Sequence, residues 1–200
     1  MLIIGITGSI GMGKTTVSKM LRILKIPVFD SDKKVKEILE KNYDIIEKIS
    51  KIWPESILFH QKQIKINKEA LSNRIFKNKK ERKKLERIIH PVVKRERRSF
   101  LKKYEKYFIV GLDIPLLYET GMNKECDYIF LVNTTKKIQK QRVLARPNMT
   151  EEKFELINNS QWNFEKKEKE KPFIINTSFG KLITFIIVIF YLIKIKFRGK

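Results

Sequence analysis

The sequence predicts an α/β fold, with a doubly wound, mostly parallel sheet of five strands covered by helices. Two observations support this class. Short apolar runs alternate along the chain with longer segments of helical periodicity. The runs are continuously apolar rather than alternating with polar residues, which is typical of parallel strands that are buried on both faces.

The predicted elements follow the chain in this alternating order. Strands are expected at 2–7, 26–30, 108–113, 127–132 and 172–176. Helices are expected at 14–25, at 33–52 with a break near Asn42, and at 68–76, 79–89, 91–106, 135–146 and 150–170. We interpret His90-Pro91 as the break between two amphipathic helices, because proline cannot donate a helical hydrogen bond.

A phosphate-binding loop follows the first predicted strand. Gly8, Gly13, Lys14 and Thr15 occupy the fixed places of G-x-x-x-x-G-K-[ST], between an apolar strand and a helix-forming run. Glycines let successive amide groups face a phosphate, and the helix that follows adds the positive end of its dipole. Lys14 is expected to contact the β- and γ-phosphates of a nucleotide, and the Thr15 hydroxyl to bind Mg²⁺. The loop therefore indicates a P-loop NTPase or kinase, but it does not identify the acceptor.

The domain organisation follows from the loop and from one long connection. The second and third predicted strands are separated by about 75 residues in which no central strand is evident, too many for an ordinary connection. We predict that residues 32–106 form a helical insert that binds the acceptor. Residues 1–31 and 107–180 then form the nucleotide-binding core of a single domain, with a short lid over about residues 142–160.

The tail, residues 181–200, is apolar and then basic. Its apolar run 182–193 has 12 residues and would be about 18 Å long as a helix, whereas a membrane span needs roughly 20 residues. We expect a buried or partly exposed terminal helix or strand. Membrane contact through 182–197 is a less favoured alternative, and a tail without a role is another.

Charge and cysteine content limit the class of protein. The 200 residues carry a formal net charge of +22, from 44 Lys and Arg against 22 Asp and Glu. The abundance of lysine is interpreted as coding bias toward A+T-rich codons or as attraction of polyphosphate ligands. No nucleic-acid partner is expected, since no aromatic-studded strand or recognition-helix motif accompanies the charge. The single cysteine, Cys126, and the lack of a signal peptide predict a cytoplasmic protein.

Carboxylates follow two of the predicted strands. Asp30 and Asp32 come after the second strand, where one could accept the proton of an attacking hydroxyl and one could cap the next helix. Asp113, at the end of the third strand, is a candidate for supporting Mg²⁺ through a water molecule. Glu119 is a second carboxylate near that edge, with a solvated loop charge as the alternative.

Two arginines suggest a phosphate clamp. Arg142 and Arg146 are four residues apart on a predicted helix that ends before Pro147, so they would share one face. Guanidinium groups match phosphate oxygens and stabilise transferring charge. The alternative is that both are ordinary surface arginines. For the lone His90, a structural role is commoner than a catalytic one.

Taken together, these motifs resemble the dephospho-CoA kinase family over about residues 1–180. The resemblance rests on GITGSIGMGKTT, IPVFDSD, INKEALSNRIF with KKLERIIHPVV, DIPLLYETG, QKQRVLAR and NNSQ, in that order. It implies an enzyme that uses ATP and Mg²⁺ to phosphorylate the ribose 3′-hydroxyl of dephospho-CoA, giving coenzyme A and ADP in the last step of coenzyme A biosynthesis. It leaves the oligomeric state open.

The resemblance also implies roles for individual residues. Asp32 is similar to the base that faces the 3′-hydroxyl, and Arg142 to the arginine of the lid. ATP would be bound by a set of residues comprising Gly11, Met12, Gly13, Lys14, Thr15, Thr16, Arg146 and, near the adenine, Asn176. His90, Pro115 and Glu119 match positions that line the acceptor lobe and its approach. The segment before Asn176 and the apolar tail depart from the family pattern.

The phosphate loop and the charge suggest three alternative functions. A different small P-loop kinase, acting on a nucleoside monophosphate, is the nearest alternative. A switch GTPase needs N-K-x-D after a late strand, and Asn133-Thr134-Thr135-Lys136 lacks the aspartate. A basic nucleic-acid-binding module is the alternative that is not an enzyme.

Overall fold

A computed structural model describes residues 1–60 and 63–198. The strands are β1 (Leu2–Thr7), β2 (Val28–Asp30), β3 (Ile57–His60), β4 (Gln63–Ile66), β5 (Ile109–Asp113), β6 (Tyr128–Asn133) and β7 (Phe173–Asn176). The helices are α1 (Lys14–Ile23), α2 (Ser31–Lys41), α3 (Tyr43–Ile52), α4 (Lys68–Lys77), α5 (Lys79–Lys103), α6 (Lys136–Leu144), α7 (Glu151–Asn159), α8 (Phe164–Glu168) and α9 (Gly180–Arg198). Two compact units result: unit 1, residues Met1–Asp30 with Tyr104–Lys200, and unit 2, residues Ser31–Lys103.

Unit 1 is built on the predicted sheet. Its five strands are all parallel and lie in the order β2-β5-β1-β6-β7. Each lies within two residues of its predicted bounds, and the predicted fold class is confirmed. The sheet is apolar because helices cover it: Ile4 and Ile6 of β1 are fully buried, as is Leu21 of α1.

Unit 2 has its own apolar core and a feature that the sequence prediction missed. Helices α2 to α5 enclose Trp53, which is 1% exposed and donates an Nε1 hydrogen bond of 2.6 Å to Glu81. The insert is not purely helical, because β3 and β4 pair as an antiparallel hairpin. The pairing sets Ile57 opposite Ile66, at the edge of the apolar cluster.

Helix α5 corrects a second expectation. The predicted break at His90-Pro91 is wrong, since one helix of 25 residues runs through Pro91. Proline removes a single helical hydrogen bond and costs roughly 3 kcal/mol inside a helix. On the same helix, Leu85 and Ile89 are buried in the core of unit 2, and this packing offsets the loss.

The predicted helix at 150–170 is divided into α7 and α8. The Asn163 side chain accepts a hydrogen bond from the Lys166 amide at 2.9 Å and so begins α8 as an N-cap. Residues 160–163 connect the two helices.

The tail forms α9, a terminal helix that packs against unit 1 through one face. Thr184, Val188 and Ile195 on that face are 0–1% exposed. A buried or partly exposed terminal helix or strand was expected here, and in the structure the segment is a helix with one buried face. Of the helices in residues 1–60 and 63–198, none is long and apolar enough to cross a membrane.

Candidate active site

The candidate site lies at the carboxyl edge of the parallel sheet. Because the five strands run in one direction, their last residues meet at this edge: Thr7, Asp30, Asp113, Asn133 and Asn176. In open α/β sheets, ligands bind outside the carboxyl ends of the strands. The phosphate loop leaves β1 here and leads directly into α1.

Two glycines of the loop are required by its conformation. Gly13 caps α1 in the left-handed region, with φ 100° and ψ 17°, which disfavours any side chain. Gly8 also has a positive φ, and a Cβ there would lie 2.4 Å from the Val132 carbonyl oxygen. The Lys14 ammonium reaches back over the loop and donates to the Gly8 carbonyl oxygen at 2.6 Å. The backbone therefore has the shape that the motif predicts.

A pocket of about 330 Å³ opens beside the loop. It is lined by Gly11, Gly13, Lys14, Thr15 and Thr16, by Arg142 and Arg146, and by Thr177, Gly180, Lys181 and Thr184. Seven of these residues were predicted to bind or act on ATP, and the structure brings them together. The pocket concentrates positive charge at the N-terminus of α1, which is an arrangement that binds polyphosphate.

The two arginines of this pocket lie in different backbone environments, one within a helix and one beyond its end. Arg142 lies in the last turn of α6, but the helix ends at Leu144, before Arg146. The expectation that they share one helical face is therefore wrong. Pro147 explains the early end, because the residue before a proline disfavours the helical conformation.

Thr177 ties Arg142 to the phosphate loop. Arg142 Nη1 donates to Thr177 Oγ1 at 2.8 Å, and its Nη2 donates to the Thr177 carbonyl oxygen at 3.1 Å. The same Thr177 hydroxyl donates to the Met12 carbonyl oxygen, also at 2.8 Å. Thr177 is 4% exposed, so these bonds are sheltered from water. The sequence analysis did not identify this residue, although its place directly after the last strand was a usable signal.

Two glutamines hold the start of the loop. The Ile10 amide donates to Gln161 Oε1 at 3.0 Å, and Gln139 Nε2 donates to the Ile10 carbonyl oxygen at 2.8 Å. Gln139 also donates to Asn158 Oδ1 at 3.2 Å. These side chains and Met12 line a second cavity of about 950 Å³. Gln139 lies in the QKQRVLAR motif and Gln161 in NNSQ, but the motifs alone predict no contact with the phosphate loop.

Asp113 lies next to α1. Its carboxylate is 6% exposed, and Oδ2 accepts a hydrogen bond of 2.6 Å from Ser18 Oγ. Ser18 is one helical turn beyond Thr15, whose side chain lines the pocket. The Thr15 hydroxyl and the Asp113 carboxylate offer only oxygen atoms, the type of ligand that Mg²⁺ prefers, so these two residues fit the predicted ion.

Glu119 is held by the segment between α7 and α8 and by α8 itself. Its Oε1 accepts from the Trp162 amide at 2.7 Å and lies 3.4 Å from the Lys167 ammonium. Lys167 is only 1% exposed, and this burial lowers its pKa while the nearby Glu119 opposes the shift. Glu119 is therefore not the solvated loop charge considered as its alternative. In the described part of the chain, its Oε2 and the Lys167 ammonium have no hydrogen-bond partner.

Tyr118 is buried beside this ion pair. Burial, together with the surrounding negative groups, raises the pKa of its hydroxyl to about 12. The ring stacks on Trp162 with the centroids 5.9 Å apart. Within residues 1–60 and 63–198, the hydroxyl has no hydrogen-bond partner.

The remaining predicted residues are spread over both units. Asp32 and His90 belong to unit 2, with Asp32 exposed in the first turn of α2 and His90 exposed on α5. In unit 1, the Pro115 carbonyl oxygen accepts from Thr7 Oγ1 at 3.0 Å. Asn176 Oδ1 accepts from the Ser178 amide at 2.8 Å and so shapes the turn after β7.

Comparisons with known proteins agree on one family. The family model described as dephospho-CoA kinase matches residues 2–181. Dephospho-CoA kinase from Zymomonas mobilis is 39% identical, over 88% of this chain and 87% of the relative. The one from Nitrobacter winogradskyi is 36% identical, over 90% of this chain and 88% of the relative.

Solved structures show the same fold. A crystal structure from Thermus thermophilus is 28% identical, with a TM-score of 0.81, and the match covers 96% of both chains. Dephospho-CoA kinase from Campylobacter jejuni is 24% identical, with a TM-score of 0.70 and 98% of both chains covered, which is a likeness of fold.

Proposed function

The chain belongs to the dephospho-CoA kinase family, and from that premise we propose which of its residues perform the reaction. The reaction is the ATP-dependent phosphorylation of the ribose 3′-hydroxyl of dephospho-CoA, which gives coenzyme A and ADP. The observation that carries the residue assignment is the pocket in which the phosphate loop meets Arg142 and Arg146.

The phosphates of ATP bind in this pocket. The loop amides from Gly11 to Thr16 and the N-terminus of α1 hold the β-phosphate, and Lys14 bridges to the γ-phosphate. Arg142 neutralises the charge that develops on the transferring phosphoryl group, and Arg146 supports it. Kinases of this type accelerate the reaction by positioning the substrates and by stabilising the charge of the transition state. Cationic side chains held in the pocket are therefore expected to contribute most to catalysis.

Asp32 accepts the proton of the attacking 3′-hydroxyl. It lies two residues beyond the end of β2, on the first turn of α2, and its carboxylate is exposed. Asp30, the other candidate, ends β2 and has the Arg22 guanidinium 3.9 Å away. We therefore assign the role of proton acceptor to Asp32.

Two residues of the donor site would hold Mg²⁺. Thr15 would hold the ion through its hydroxyl, and Asp113 would support it through a water molecule. When bound, the ion supplies positive charge to the phosphoryl oxygens. His90, Pro115 and Glu119 are assigned to the acceptor lobe and its approach, with Asn176 near the adenine. We propose that the enzyme works in the cytoplasm on small-molecule substrates, without nucleic acid.

The assignment is tested by ADP release with purified protein. Wild-type protein should release ADP faster with dephospho-CoA than with AMP or CMP, which carry a ribose 3′-hydroxyl but lack the pantetheine arm of dephospho-CoA. The Asp32→Asn variant should lose about 10²- to 10⁴-fold in kcat and bind ATP as before, because only the proton acceptor is removed.

Asp30→Asn is the matched control, with the same chemical change two residues away. It should lose far less activity than Asp32→Asn. Near wild-type turnover in Asp32→Asn, or an equal loss in Asp30→Asn, contradicts the assignment of the base. Turnover with AMP or CMP instead of dephospho-CoA contradicts the assignment of the acceptor.

A further inference from the structure

The outer face of α9 is a continuous apolar stripe. Six large apolar side chains on this helix are 45–74% exposed: Leu182, Ile183, Ile186, Phe190, Ile193 and Phe197. They recur at intervals of three or four residues along most of α9, which places them on one face of the helix. Contiguous exposed apolar surface of this kind marks a site of interaction.

The stripe is not the surface by which α9 packs on its own unit. Thr184, Val188 and Ile195 make that contact from the opposite face and are 0–1% exposed. A helix that is apolar on all sides is normally buried on all sides. Here one side is covered by the protein and the other faces outward.

The charge around the stripe indicates what covers it. Lys194 and Lys196 lie on the same helix, and residues 171–200 contain no Asp or Glu. The whole chain carries +22. A second copy of the chain, docking by this face, would bring lysines toward lysines with no acidic residue on either α9 to pair with them. An anionic lipid surface complements both features, because its headgroups attract the basic residues and its acyl chains accept the apolar stripe.

We propose that α9 docks this protein on an anionic lipid surface, with the stripe in the boundary between headgroups and acyl chains. The helix would lie flat, because its inner face is fixed to unit 1 and only its outer face can meet lipid. This is the arrangement of an interfacial amphipathic helix, with apolar side chains on one side and basic side chains at its border.

One end of α9 also belongs to the nucleotide pocket, through Gly180, Lys181 and Thr184. Substitutions meant to test lipid binding must therefore avoid the first turns of α9. Ile186, Phe190 and Ile193 lie further along the stripe and are 50–59% exposed. Replacing all three by glutamine removes the apolar surface and keeps the basic residues.

The experiment is cosedimentation with vesicles. Wild-type protein should sediment with vesicles of phosphatidylcholine mixed with phosphatidylglycerol, and less with phosphatidylcholine alone or at high salt. The Ile186→Gln/Phe190→Gln/Ile193→Gln variant should bind the mixed vesicles about 100-fold more weakly, because three large apolar side chains no longer enter the lipid. No sedimentation of the wild type, or equal sedimentation of this variant, overturns the proposal.

The matched control is Ile23→Gln/Tyr107→Gln/Phe108→Gln, three exposed apolar residues of unit 1 outside α9. It should bind vesicles as the wild type does, and an equal loss in this control also overturns the proposal. ADP release with dephospho-CoA shows that each variant is folded. Should the stripe variant fail to fold, Lys194→Gln/Lys196→Gln takes its place, with an expected loss of about 10- to 30-fold on mixed vesicles only. Unchanged binding by that variant overturns the proposal.

Self-association is measured in the absence of lipid. Sedimentation velocity over a range of protein concentrations should give the same species for the wild type and the stripe variant. A wild-type dimer that the stripe variant cannot form means that a second copy covers the stripe, and the proposal is then wrong.

Discussion

Thr177→Val should uncouple Arg142 from the phosphate loop. Valine has nearly the shape of threonine but no hydroxyl, so the variant loses the 2.8 Å bond from Arg142 Nη1 and the 2.8 Å bond to the Met12 carbonyl oxygen. The 3.1 Å bond from Arg142 Nη2 to the Thr177 carbonyl oxygen remains, because it uses the backbone. The arginine is therefore loosened rather than released.

The size of the effect follows from the kind of bond that is lost. A hydrogen bond from a charged donor contributes roughly 1.5–3 kcal/mol. If this energy is used when charge develops on the phosphoryl group, its loss lowers kcat by about 10- to 100-fold. The KM for ATP should change by less than about threefold, since Lys14 and the loop amides bind the ground state.

The assay is steady-state ADP release with dephospho-CoA, with the concentration of ATP varied. Thr177→Ser is the control, because it keeps the hydroxyl and loses only a methyl group. It should retain kcat to within about threefold. A Thr177→Val variant with wild-type kcat refutes the argument, as does a Thr177→Ser variant that is equally impaired. A loss confined to KM would assign Thr177 to ATP binding instead.

Two further predictions concern the buried groups beside Glu119. Tyr118→Phe should raise the free energy of unfolding in urea by about 1 kcal/mol at pH 7, because it removes a buried hydroxyl without a hydrogen-bond partner among the described residues. Burial raises the pKa of Tyr118 to about 12 because it disfavours the phenolate in the folded protein, so the free energy of unfolding should fall as pH rises from 10 toward 12. Stability should therefore fall less steeply in the variant over that range, and identical pH profiles would contradict the assignment. Lys167→Met should lower the free energy of unfolding by roughly 3 kcal/mol, since it leaves the carboxylate without its cation. The double variant Lys167→Met/Glu119→Gln should recover most of the loss, and a fully stable single variant would show that the ion pair contributes nothing.

The elements of the fold that could be predicted are those determined by one continuous segment of the sequence. A strand buried on both faces is apolar along its whole length, so each of the five parallel strands could be identified without knowing its neighbours. The hairpin β3-β4 could not, because it depends on the pairing of Ile57 with Ile66. The helix through Pro91 could not either. The local rule predicts a break, whereas burial of Leu85 and Ile89 contributes about 3–6 kcal/mol in the opposite direction.

The site divides in the same way. Lys14 and Thr15 were identified because their roles follow from spacing within one loop. Thr177 was missed because its role exists only through Arg142 and Met12, which are 35 and 165 positions away. Lys167 was missed for a stronger reason. Nothing in a lysine-rich sequence distinguishes the one lysine that the fold buries against Glu119.

The phosphate loop itself shows how little its motif determines alone. The glycine pattern is shared by ATPases, GTPases and kinases, and it provides a backbone that can curl around a phosphate. The position of that backbone is set by distant side chains. Gln161 and Gln139 bind the two backbone groups of Ile10, and Thr177 binds the carbonyl of Met12.

These three contacts are not equivalent. Gln139 and Gln161 hydrogen-bond the loop at the backbone of Ile10, whereas Thr177 binds both the loop and Arg142 through one hydroxyl. A change at Gln139 or Gln161 should therefore alter how the loop holds ATP, and should appear mainly in KM. A change at Thr177 moves the phosphate-binding backbone relative to the cation that stabilises the transferring charge, and should appear in kcat. Whether a substitution changes mainly KM or mainly kcat should thus depend on whether the side chain contacts the loop alone or both the loop and Arg142. The loop motif does not contain this information.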